Sequence, residues 1–174
     1  MFKNWRISSF NGVLLAAYFI PTWAVVAYRI IVSPIQGLFE RPSVSVAFYV
    51  SDHLHLASTA TVRVAWLLAL GRLTVVAFFA IFVLFSARSI IRKSGGGEEA
   101  LAIALAVGSV ISIASMWMAS QVGETEALRL HATELLLLLG TAVVLLFERP
   151  AQPQTNAGVT SDALGLQSQL SHNR

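Results

Sequence analysis

The 174-residue chain contains no cysteine. That removes disulfides, thiol nucleophiles, zinc–thiolate centres and iron–sulfur clusters in one step. Charge is the second shortage. Asp, Glu, Lys and Arg make up 12% of the residues, where an ordinary globular domain carries about 25%. Hydrophobic residues make up 56% and the mean hydropathy is +0.70. A soluble domain so composed could not cover its surface with polar groups, so the solvent this composition calls for is lipid.

Motifs that would nominate an enzyme are missing too. The sequence has no G-x-x-x-x-G-K-[ST], no G-x-G-x-x-G, no G-x-S-x-G and no H-E-x-x-H. No spacing of serine and histidine suggests a nucleophile and its base, so no catalytic residue is assigned and no cofactor is identified. The net charge is +3, but the basic residues lie at the ends of apolar runs instead of forming a patch with interleaved aromatics. That placement excludes nucleic acid as a partner.

What is present is a set of long apolar runs. Four of them, about 12–32, 62–85, 100–118 and 127–147, are each close to the ~20 residues needed to cross a hydrocarbon core of ~30 Å. The predicted fold is therefore all-α: an integral membrane bundle of about four transmembrane helices forming one domain over 1–149. Lys3 and Arg6 before the first run, which continues past a poor cleavage site at Thr22-Trp23-Ala24, suggest an uncleaved signal-anchor. Pro21 should loosen that first helix. Pro34, Gly37 and Glu40-Arg41-Pro42 break the chain after it. Residues 44–56, with Asp52-His53-Leu54-His55, read as an interfacial stretch of a long extracytoplasmic loop. A basic turn bearing Arg88, Arg92, Lys93 and Gly95-Gly96-Gly97 separates the second and third runs. The polar tail 150–174 reads as disordered and cytoplasmic.

Orientation follows from Lys and Arg near the span ends. With the N-terminus inside, the inner flanks hold Lys3, Arg6, Arg88, Arg92, Lys93 and Arg149, and the outer flanks hold Arg29, Arg41, Arg63 and Arg129. The cluster between runs two and three favours both termini in the cytoplasm, in a cell inner membrane. No internal repeat relates the two pairs of spans, which argues mildly against a transporter.

Some residues are expensive in this setting. Arg72 falls near the middle of the second span, where a charge costs about 2.5–3.5 kcal/mol on insertion scales. Thr61, Ala65, Ala69, Val76 and Phe79 share its helical face. Glu134, at similar depth in the fourth span, is its expected partner, as an ion pair or along a substrate path. His131 lies three residues before Glu134 on the same face, and Glu124 approaches that face from the preceding loop. Together with Asp52, His53 and His55, His131 and Glu134 make a candidate divalent-metal set at the outer side. His53, His55 and His131 are candidate haem ligands. Against this stand the single copy of the H-x-x-E pair and the frequency of histidines and carboxylates at helix starts. In the third span Ala104, Gly108 and Ser112, with Ser109, Ser115 and Ala119 nearby, form a strip of small residues that lets helices approach closely. Trp5, Trp66 and Trp117 fit an interfacial belt, and Trp23 lies deeper.

Three functions fit these residues. One is a non-enzymatic accessory or anchoring component whose partners are the lipid bilayer and other membrane subunits or a second copy. The second is a small transporter using Arg72 and Glu134. The third is a metal- or haem-binding redox subunit.

Overall fold

The computed structural model describes residues 7–88 and 97–148. The start of the chain, most of the basic turn and the polar tail lie outside these residues. The described elements are α1 (Ile7–Val32), α2 (Pro34–Leu38), a tight helical turn (Arg41–Ser43), α3 (Val44–Asp52), α4 (Ser58–Ala87), α5 (Glu98–Val122) and α6 (Thr125–Glu148). No strand occurs among them. The helices α1, α4, α5 and α6 are each long and apolar enough to cross a membrane. They extend past the predicted spans by a few residues, because a continued helix satisfies backbone groups that lipid cannot.

Pro21 does not end α1. The Thr22 hydroxyl donates to the Tyr18 carbonyl at 2.7 Å, a local bond of the side chain back to its own helix. Close packing joins α1 to α4, α4 to α5 and α5 to α6, and α1 also meets α6 to close the ring. The small-residue strip lies on the inner face of α5, where Ala104, Gly108, Ser112, Ser115 and Ala119 are all buried. Leu15, Phe19, Val75, Phe79, Leu105 and Leu138 belong to the core between the helices, and the rings of Phe19 and Phe79 stack at 5.7 Å. The outer faces are apolar as well: Leu67, Leu136 and Phe147 are 68%, 72% and 87% exposed. Such surface is tolerable only against lipid or another helix.

At one end of the bundle α6 finishes beside the start of α1. The backbone N–H groups of Ile7 and Ser8 donate to the two carboxylate oxygens of Glu148, at 2.8 and 3.0 Å. These are amides that a helix cannot satisfy within itself, and an anion there also suits the helix dipole. Glu148→Ala is expected to fray the first turn of α1 at a cost of about 1 kcal/mol. Faster amide exchange at Ile7 and Ser8, with no change around Phe19, would report it.

The other end, here the loop end, holds the connections after α1 and α5. Gly123 ends α5 at φ 75°, a left-handed turn that favours glycine. The longer connection does not simply lie on a surface. Leu38, Val46, Ala47 and Val50 form a second core with Ala27 and Ile30 of α1 and with Ala65 and Ala69 of α4. Ser43 and Ser45 are fully buried, and Tyr49 meets Trp117 of α5 at 5.4 Å. The small Ala65 and Ala69 leave the room this segment fills. Gly37 permits the approach of α2 to α1, since a Cβ there would sit 2.7 Å from the Ile30 Cα. Residues 51–59, from the end of α3 to the first residues of α4, are all exposed.

Candidate functional site

Arg72 lies at the middle of α4, roughly 21 Å along the helix from Ser58 at 1.5 Å per residue. It is only 2% exposed. The inserted segment comes down to meet it. One terminal guanidinium nitrogen donates to the Ser43 hydroxyl at 2.9 Å, and the other donates to the Pro42 carbonyl at 3.2 Å. The guanidinium carbon lies 5.8 Å from the centroid of the Trp23 ring, a cation–π contact that gains strength where water is excluded. The Arg72 Nε–H makes no hydrogen bond.

Trp23 also touches the opposite charge. Its indole N–H donates to Glu134 Oε1 at 3.1 Å, and Glu134 Oε2 lies 3.0 Å from His131 Nδ1. Both residues of α6 are buried. A carboxylate oxygen can only accept, so Nδ1 of His131 is the donor in this contact, and the other ring nitrogen is Nε2. That Nε2 is buried and unpartnered.

Arg72 and Glu134 are therefore brought into one network, although no direct ion pair joins them. Trp23 contacts both and connects α1, α4 and α6, and Ser43 ties the inserted segment to the same cluster. The two charges still interact electrostatically. The lower dielectric of a bundle interior strengthens that interaction compared with water.

The other candidate ligands lie elsewhere. Asp52, His53 and His55 are exposed at the end of α3 and in the following loop, with the His53 ring stacked on Tyr49 at 5.0 Å. Among the described residues no group of three or more His, Asp or Glu gathers to hold a metal ion. The five residues read as a metal set thus divide between an exposed loop and a buried helix pair.

Near the loop end a cleft of about 280 Å³ is lined by Arg41, Val44, Glu124, Glu126, Ala127 and Leu130. Arg41 and Glu126 face each other across it at 3.8 Å, both well exposed, a geometry that contributes little by itself. Arg29 and Glu40 make a shorter pair at 2.6 Å.

Sequence reading had no means of finding Ser43 and Pro42, since a loop serine and a turn proline carry no periodic signal. Trp23 gave a partial signal: a tryptophan deep in a span is not explained by an interfacial belt. Comparison with protein families, with curated proteins and with solved structures finds no match.

Proposed function

We propose that this protein is a non-enzymatic membrane component, an accessory or anchoring subunit that works through helix packing. The observation that carries this reading is the inward turn of the polar network. Both oxygens of Glu134 and both terminal nitrogens of Arg72 are engaged by groups of the same chain, and every contact except His131–Glu134 joins different elements. Charges so engaged hold a bundle in register and leave its apolar exterior to lipid and to partner helices. The partners are other membrane subunits or a second copy. The Lys and Arg distribution supports a cell inner membrane with both termini cytoplasmic.

The second reading, a small transporter, draws on the mid-helix position of Arg72, because ionisable groups at that depth often mark a transport path. Reconstitution separates the two. Proteoliposomes are expected to hold a proton or potassium gradient as long as protein-free vesicles do, and native mass measurement in mild detergent is expected to give a defined oligomer or complex. Gradient collapse that disappears in Glu134→Gln would replace the first reading by the second.

A further inference from the structure

We propose that the groove between α1 and α6, at the Glu148 end of the bundle, binds a neutral lipid-soluble carbonyl compound of the quinone type. The buried polar network uses none of the residues that line it. Of the neighbouring long helices, α1 and α6 pack least closely. Two ties hold them together. Glu148 of α6 binds the first amides of α1, and Trp23 of α1 binds Glu134 of α6. Between those ties a space of about 440 Å³ stays open, lined by Leu14, Leu15 and Tyr18 of α1 and by Leu137, Gly140 and Thr141 of α6. A space of that size suits a small molecule. Gly140 keeps it clear, since a Cβ there would meet nothing within 4 Å.

A second observation points to a ligand. Thr141 is only 6% exposed, yet its hydroxyl has no hydrogen-bond partner among the described residues. Thr22, Thr74 and Thr133 each donate to the carbonyl four residues back, at 2.7 to 2.9 Å. Thr141 makes no such bond. Its oxygen is not sealed in the interior either, unlike the unpartnered hydroxyls of Ser8, Ser45 and Ser112. It opens on the groove that Thr141 lines. Asn11 and Tyr18 bring an amide and a phenol to the same space, and neither side chain makes a hydrogen bond within the described residues. Unmade hydrogen bonds are costly in lipid, where no water can replace them.

The lining selects the occupant. It holds no Asp, Glu, Lys, Arg or His, so a charged head would lose its hydration and gain no partner. Thr141, Tyr18 and Asn11 can all donate, so a neutral acceptor completes them, and a carbonyl oxygen is the simplest. Depth narrows the source. Thr141 lies roughly 9 Å inside the predicted end of its span near residue 147. The ester carbonyls of a phospholipid stay in the interfacial region outside the hydrocarbon. The carbonyl must therefore belong to a molecule dissolved in the membrane interior, with an apolar body to meet Leu14, Leu136 and Leu137. A quinone with an alkyl or prenyl tail has that composition.

The test is NMR of the full chain in nanodiscs with tyrosine ¹³C-labelled on the ring. The chain has three tyrosines, and the Tyr18 signal is identified by its loss in Tyr18→Phe. Decylbenzoquinone added to the discs is expected to move that signal saturably. Tyr28, 67% exposed on the same helix and outside the groove, should not follow. Decylbenzene, which keeps ring and tail but lacks the carbonyls, should leave Tyr18 in place. Thr141→Val should raise the half-saturating concentration about fivefold, as expected for one lost hydrogen bond. Gly140→Leu should abolish saturation by filling the groove. An unchanged Tyr49 signal would show that both variants keep the fold. A Tyr18 signal indifferent to the quinone, moved equally by decylbenzene, or moved in step with Tyr28 overturns the inference, as does saturation that both variants leave unchanged. So does a signal that responds only to placing two chains in one disc, because a second copy would then occupy the groove.

Discussion

Arg72→Met is expected to destabilise the folded bundle by about 3–5 kcal/mol, the range for removing one partner from a buried charged network. Methionine fills much of the arginine volume, so a cavity is not the main effect. The loss is electrostatic and polar. Glu134 would keep a buried negative charge with no cation near it, and the Pro42 carbonyl and Ser43 hydroxyl would lose their donors. Arg72→Lys should fall between the two, because a single ammonium cannot present the planar fork that reaches both acceptors. Unfolding in mixed micelles, followed by circular dichroism, measures the difference. Amide exchange should rise first in the inserted segment from Pro34 to Asp52, which Arg72 holds through Ser43. A midpoint for Arg72→Met within about 0.5 kcal/mol of the wild type would remove the guanidinium from the account of stability.

Exchanging the two charges is expected to fail as a rescue. A direct Arg72–Glu134 ion pair would tolerate Arg72→Glu/Glu134→Arg, because two touching charges are largely indifferent to which helix carries which sign. The observed network is not symmetric. Trp23 offers an N–H, a donor only, at the position it shares with Glu134, and an arginine there would leave that N–H facing another donor. The reversed pair should therefore be at least as unstable as either single variant. Arg72→Met/Glu134→Met is a different case, since it removes both buried charges and keeps apolar volume. It should recover at least about 1 kcal/mol relative to the sum of the single variants, as coupled sites do. Rescue by charge reversal, or strict additivity of the methionine pair, would show that Trp23 does not mediate between the two charges.

The spans could be read from the sequence because a membrane helix announces itself locally. Twenty apolar residues in a row, with caps and charges at the ends, leave few alternatives in lipid. The strip from Ala104 to Ala119 was legible for the same reason, since small residues at helical spacing define one face. Arg72, His131 and Glu134 stood out by cost alone. The inserted segment was harder. Val44 to Asp52 is too short to span, and its apolar face has the same pattern as a helix lying on a membrane surface. What draws Val46, Ala47 and Val50 inward is the space above Ala65 and Ala69, and that space exists only once α1 and α4 have packed.

The sequence by itself determined that this is a membrane bundle of four helices, with an arginine, a glutamate and a histidine that had to be accommodated inside it. Hydrophobicity and helical period are properties of neighbouring residues, so they survive without a structure. Tertiary packing decided how the accommodation is made. Trp23, Ser43 and Pro42 are 111, 29 and 30 residues distant in sequence from the charges they serve. Contacts at such separations depend on how helices meet, and no local pattern encodes them. The expected ion pair became a network mediated by a tryptophan, and His131 was left with one nitrogen free near the loop end.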